Sequence, residues 1–242
     1  MFYKYLFTVL LLITINSIIT AQDPWKITAE KIDPTNYYGV TVANGMIGVV
    51  SSAEPFKVKE VVLAGAYDLY GRGRVSNFLK SFNLLNMYLE VDGKRIGNTE
   101  ASNMQQSLDM RHASFTSTFN YGDKAVVTYT YYSLRQLPFT VLMDVSITAK
   151  KNINITGASV MEAPDALKEV QNYYNEIDRP HVVISLLTST AKSPTGKLLM
   201  CASNSFLFNE KHGDEPRVIH EMWDNNMHLM KFSKQIKAGD TY

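Results

Sequence analysis

The stretch "HEMWDNNMH" holds the densest set of chemistry-capable side chains in the sequence: His220, Glu221, Asp224 and His228. Imidazoles and carboxylates in one short run could ligate a metal or exchange protons. The two histidines are eight positions apart, so on one straight strand they would share a face but stand roughly 26 Å from each other. No single metal reaches both in that arrangement. Asp224-Asn225-Asn226 is a turn signal that could fold them together. The alternative is a hairpin whose arms are simply polar.

A second stretch, "AGAYDLYGRGRVSNFLKSFN", sets Tyr67, Asp68, Tyr70, Arg72, Arg74 and Phe78 among glycines, with little strand pattern. Aromatic faces flanked by carboxylates and guanidinium forks match the apolar face and hydroxyl rim of a pyranose. Tyr67, Asp68, Tyr70 and Arg72 are therefore the candidate substrate-binding residues. The competing reading is a long packed loop whose tyrosines cover core. Elsewhere the usual signatures are missing: no Gly-x-Ser-x-Gly elbow, no phosphate loop ending in Lys-Ser/Thr, no His-Glu-x-x-His pair, and no third glycine in "GRGRVSN". No residue is assigned as catalytic, none as a metal ligand, and no cofactor is expected. The single cysteine, Cys201 in the apolar run "KLLMCAS", reads as a buried, inert thiol.

The elements that must position these residues read almost entirely as strands. Ala113, Phe115, Ser117 and Phe119 alternate with polar neighbours, Gly122-Asp123 turns, and Val127, Tyr129 and Tyr131 alternate back. Phe139, Val141, Met143, Val145 and Ile147 repeat the device ahead of a Lys-Lys-Asn turn. Asp92-Gly93 closes a shorter pair. "NYYGVTVANGMIGVVSS" predicts a hairpin from Gly39 to Ala43 and Met46 to Ser52, closed at Asn44-Gly45, the dipeptide readiest to take positive φ. In the same stretch Gly48 reads as a close-packing position. Further strands are expected over Lys57 to Leu63, His181 to Thr188, Leu198 to Ala202 and His228 to Ile236. One short helix is expected in "APDALKEVQNYYNEI", capped by Asp165 after Pro164. About a dozen turn-punctuated strands without βαβ alternation predict an all-β chain, with two large antiparallel sheets packed face to face.

The ends of the chain bear on location. A run from Leu6 to Ile19 is nearly all apolar, preceded by Lys4 and followed by Ala21, which predicts a signal peptide over residues 1–21. Its core is shorter than the ~20 residues a spanning helix needs, so export to the periplasm or exterior is expected, with no membrane anchor after cleavage. Lys plus Arg number 24 against 23 Asp plus Glu, leaving no electrostatic footprint for nucleic acid. "KQIKAGDTY" closes on a Gly239-Asp240 turn and two residues that begin a strand, which reads as a fragment of a longer polypeptide.

Several of these phrases resemble glycoside hydrolase family 65. "NYYGVTVANGMIGVVSS" is similar to the family's opening around a Gly-Asn-Gly phrase. "FNLLNMYLEVDGKRI" and "QSLDMRHASFTSTF", with Leu108-Asp109-Met110-Arg111, follow in order, and "YTYYSLRQLPFTVLMDVSI" matches its strands around a Ser-x-Arg. The resemblance spans nearly all of residues 25–242. It implies a galactose-mutarotase-like supersandwich as the N-terminal domain, followed by linker helices, an (α/α)6 barrel and a jelly roll. It also implies inverting cleavage of α-glucosides such as maltose, trehalose, kojibiose or nigerose, by phosphorolysis or hydrolysis. The family's general acid is a barrel glutamate, so no catalytic residue carries over to this chain. Where phosphorylases read Gly-Asn-Gly, this chain has Ala43-Asn44-Gly45.

Phosphorolysis conserves bond energy as a sugar phosphate, useful only inside the cell. With export expected, hydrolysis of a kojibiose-type α-linked gluco-oligosaccharide is the leading expectation. The expected partners are that substrate and the downstream barrel, with homodimerisation left open. Two other classes stay open: a stand-alone carbohydrate-binding domain, and a mutarotase using a glutamate and a histidine among Glu162, Glu221, His112 and His181.

Overall fold

The computed structural model describes residues 23–71, 75–180, 182–211 and 213–242. The expected signal peptide lies outside them, as do Arg72 and His181. Among the described residues no helix is long and apolar enough to cross a membrane.

Among the described residues seventeen strands form, and every pairing between them is antiparallel. The first sheet runs β1 (Lys26–Ala29), β8 (Ala101–Asp109), β9 (Ser114–Tyr121), β10 (Ala125–Ser133), β11 (Val141–Ala149). The second is β2 (Thr41–Ala43), β3 (Ile47–Ser51), β4 (Val58–Leu69), β5 (Ser76–Lys80). The third is β16 (Ile219–Met222), β17 (Met227–Ile236), β12 (Ile153–Glu162), β6 (Asn83–Val91), β7 (Lys94–Arg95). The fourth is β13 (Lys168–Arg179), β14 (Val182–Lys192), β15 (Leu199–Ser205).

This corrects the expected architecture. The chain is all-β, but its strands divide into four sheets, grouped as a four-bladed, propeller-like ring, rather than into two large sheets. Period-two patterning says which face of a strand is buried and nothing about which strands pair. The packing follows the division, because there are two principal cores. Phe56, Phe115, Phe119, Tyr129 and Ile155 join the first three sheets, while Leu79, Phe82, Met161, Leu187 and Met230 join the second, third and fourth. Phe56 sits 5.0 Å from the Tyr129 ring and 5.8 Å from that of Phe119, at the centre of the larger core.

The expected helix is also absent. Leu167 N–H donates to Pro164 C=O across a turn, and β13 then runs as an extended partner of β14. Val170, Asn172 and Tyr174 are its half-buried positions, a period of two that outweighs the capping signal at Asp165. The one helical segment among the described residues is a 3-10 turn, Pro34–Asn36, capped by Asp33.

The Asn44-Gly45 hairpin forms as expected, β2 pairing with β3 in the register Val42 to Val49. Asn44 Oδ1 accepts from the N–H groups of Met46 and Ile47 at 2.9 and 3.0 Å, and Gly45 takes φ +90°. Its Nδ2 donates to the Leu134 carbonyl at 2.8 Å, fastening the turn to the end of β10. The close approach falls at Gly39 rather than Gly48. A Cβ on Gly39, which has φ +89°, would lie 2.6 Å from the Ser51 carbonyl oxygen, whereas one on Gly48 would make ordinary contact with Ala43 at 3.6 Å.

Candidate functional site

The stretch expected to be a loop is a β-hairpin. β4 and β5 pair Tyr67 with Phe78 and Leu69 with Ser76, so Tyr67, Leu69 and Phe78 share one face. The Tyr67 and Phe78 rings lie 4.3 Å apart at 40°, and the two side chains are 45% and 58% exposed. Tyr70 and Val75 add further exposed apolar surface at the turn. An aromatic face of this kind can receive the apolar side of a sugar ring.

Asp68 is not part of that surface. Strand alternation turns it to the opposite face, where it is 5% exposed. Its carboxylate accepts from Thr195 N–H at 2.9 Å and from the Thr195 hydroxyl at 2.7 Å, and Leu69 N–H adds a third donor at 2.7 Å. Hydrogen bonds from Ser193 and Thr195 hold this carboxyl well below the usual carboxylate range. Asp68 thus clamps β4 to the turn between β14 and β15. Of the four candidate binding residues, Tyr67 and Tyr70 share the exposed hairpin, Asp68 faces away, and Arg72 lies outside the described residues.

Beside the hairpin lies a cleft of about 460 Å³, lined by Leu63, Gly65, Ser81, Phe139, Met200 and Cys201 among others. Its size suits a small ligand or a few inserted side chains. Ser81 is buried and its Oγ has no hydrogen-bond partner, so one orphan hydroxyl sits in a largely aliphatic wall. Sequence reasoning missed this cleft, because its walls come from strands far apart in the chain. Cys201 is exposed rather than buried: on β15 the buried positions are Met200 and Ala202, and alternation turns Cys201 outward.

The turn in "HEMWDNNMH" does fold the histidines together. β16 and β17 pair His220 with Met230 and Met222 with His228, placing both imidazoles on one face. His220 Nε2 lies 3.4 Å from His228 Nδ1. Ser189 donates its hydroxyl proton to Asn172 Oδ1 at 2.7 Å, so its oxygen is left to accept from His228 Nε2 at 3.0 Å. That order puts the His228 proton on Nε2 and turns a bare Nδ1 toward His220. Tyr174 stacks on the His220 ring at 4.7 Å. Burial, then the neighbouring His220, pushes His228 down to about 4; burial also lowers His220, against the pull of Glu221.

The pair is therefore neutral at ordinary pH and fastens the third sheet to the fourth. His228 is fully buried, which withholds it from any substrate. Glu221 is turned to Lys231, and Asp224 accepts from Asn226 N–H in the turn. Among the described residues no group of three His, Cys, Asp or Glu side chains converges as a metal site would require. Of the residues considered for a mutarotase, His112 bonds Asp109 and Glu221 bonds Lys231.

What the geometry defines is an all-β domain carrying an exposed aromatic hairpin beside a cleft of mixed polar and apolar lining. The chain belongs to glycosyl hydrolase family 65, whose N-terminal domain profile matches residues 39–241. It is 71% identical over 224 residues to a kojibiose hydrolase of Mucilaginibacter mallensis, a match covering 93% of this chain and 33% of that protein. A kojibiose hydrolase of Flavobacterium johnsoniae is 51% identical over 222 residues, covering 92% and 33%. The chain thus spans about a third of the length of these relatives. A solved structure described as a "Putative kojibiose phosphorylase from human microbiome" shares the fold with a TM-score of 0.63, over 91% of this chain and 31% of that one. At 9% identity that likeness concerns fold alone.

Proposed function

We propose that the chain is the N-terminal scaffold domain of an exported, inverting α-glucoside hydrolase of kojibiose type. The observation that carries this reading is the 71% identity to the Mucilaginibacter kojibiose hydrolase across 224 residues. In this reading the acid that protonates the leaving oxygen, and the carboxylate that activates water on the opposite face, sit in a downstream barrel. Two features support that placement: the sole fully buried histidine among the described residues is locked in an inter-sheet relay, and Asp68 is spent on a clamp. The β4–β5 hairpin, with Tyr67 and Tyr70, serves as a wall at the mouth of the active site, contacting sugar beyond the scissile bond.

The test is an assay of the full-length protein on kojibiose, nigerose, trehalose and maltose, with and without phosphate, following the anomer released. Phosphate-independent release of β-glucose from kojibiose is the expected result. A requirement for phosphate, or retention of the α-anomer, would overturn the hydrolase reading or the inverting mechanism respectively.

A further inference from the structure

Strand β11 forms one edge of the first sheet, and its outward backbone groups are only partly used. Ile147 exchanges both of its bonds with Tyr242: Ile147 N–H to Tyr242 C=O at 2.7 Å, and Tyr242 N–H to Ile147 C=O at 2.9 Å. Ala149 is engaged the same way, its N–H donating to Asp240 C=O at 2.9 Å and its C=O accepting from Gly239 N–H at 2.7 Å. Thr148 and Thr241 bridge across the pair through their hydroxyls at 2.9 Å. In an antiparallel ladder the N–H and C=O of one residue point the same way and alternate along the strand. Val145 and Met143 therefore face outward as Ile147 does, and no backbone partner meets them among the described residues.

This edge carries few of the usual protections. Val141, Met143 and Val145 pack on the larger core, and Leu142 is 38% exposed. Asp144 is the one charge along β11, and there is no proline in it. An apolar edge left open invites pairing with another strand. Tyr242, meanwhile, is held in place by packing against Phe232, with ring centroids 6.2 Å apart, which fixes direction and register.

We propose that this edge is the docking seam for an extended segment of the same polypeptide, running antiparallel to β11. The seam continues the ladder begun at Ile147, with the second residue beyond Tyr242 facing Val145 and the fourth facing Met143. The segment becomes a sixth strand of the first sheet and is led toward Val141 and Phe139, at the wall of the cleft. This rests on the reading that the protein continues into a further domain, as the threefold longer relatives do.

Hydrogen exchange on the full-length protein tests it. The amides of Val145 and Met143 are expected to be protected as strongly as that of Ile147. Exchange at the rate of exposed loops would overturn the proposal. Val145→Pro gives a second readout, since proline is tolerated on a strand edge only where its lost N–H faces solvent. Because Val145 also packs on the core, Val145→Ala sets the packing loss; a drop in melting temperature clearly larger than that of Val145→Ala supports pairing, and one no larger overturns it. Intact mass and kojibiose hydrolysis on the same sample separate the two failures. A long, active protein with unprotected amides defeats the seam alone; a protein of this chain's length, inactive on α-glucosides, defeats the domain reading and the seam with it.

Discussion

Asp68 and Thr195, 127 residues apart, are joined by the Thr195 N–H and hydroxyl, both directed at one carboxylate. The contact holds a strand of the second sheet to the turn that ends β14. Its strength depends on Asp68 being ionised, and the folded state holds that carboxyl below its ordinary value of 3.8. A carboxyl depressed on folding contributes stability above its unfolded pKa and loses it as pH falls through the folded one. The expected outcome is that Asp68→Asn lowers the melting temperature by a few degrees near neutral pH. The difference from the parent protein should shrink as the pH falls below about 4, and thermal melts across that range check it.

His228 predicts a sensitivity of the same sign, set in a higher pH window. Its folded-state value is about 4 against an ordinary 6.5, so the unfolded chain takes up a proton that the folded chain refuses. Stability is unaffected above about pH 6.5 and falls as pH drops from there to about 4, by on the order of 2–3 kcal/mol. The groups facing it are His220 on β16, Ser189 on β14 and, through Ser189, Asn172 on β13. His228→Gln should flatten this part of the pH–stability curve, and urea titrations at several pH values would show it.

Gly39→Ala should cost about 1–3 kcal/mol, because φ +89° is strained for any residue with a Cβ and the new carbon would meet the Ser51 carbonyl at 2.6 Å. Gly48→Ala meets only ordinary contact and should cost much less. Denaturation midpoints of the two variants, measured side by side, test this asymmetry.

Tyr67→Ala and Phe78→Ala remove rings that are 45% and 58% exposed, so the fold should tolerate either change. On the proposed function, the same changes in the full-length protein are expected to raise KM for kojibiose several-fold and leave kcat close to that of the parent. A fall in kcat at constant KM would place the hairpin at the reacting bond instead of beyond it.

The strands were largely legible in the sequence because each carries a local signal. Val127, Tyr129 and Tyr131 alternate on β10 as their pattern requires, and Asn44-Gly45 turns where its φ preference puts it. The sheets were not legible, because pairing depends on contacts remote in the chain, such as β6 lying between β12 and β7. The same limit governed the site. Tyr67 and Tyr70 declared themselves by type, but the destination of Asp68 depended on Thr195, and the cleft on Phe139 and Met200 lining one cavity. The histidine pair lay between these cases: the turn was visible, and the Ser189–Asn172 relay that orders its protons was not.

Asn44 spends its whole side chain on fastening, the oxygen closing its own hairpin and the nitrogen holding the Leu134 carbonyl just past β10. The glycine after it leaves the amide carbon open to attack by the next backbone nitrogen, the chemistry by which Asn-Gly pairs deamidate with age. That exchange would put a negatively charged oxygen against a carbonyl where a donor had been. The fastener would become a wedge, so storage at alkaline pH should loosen the β2–β3 hairpin before either core, with melting temperature falling in step with conversion at Asn44.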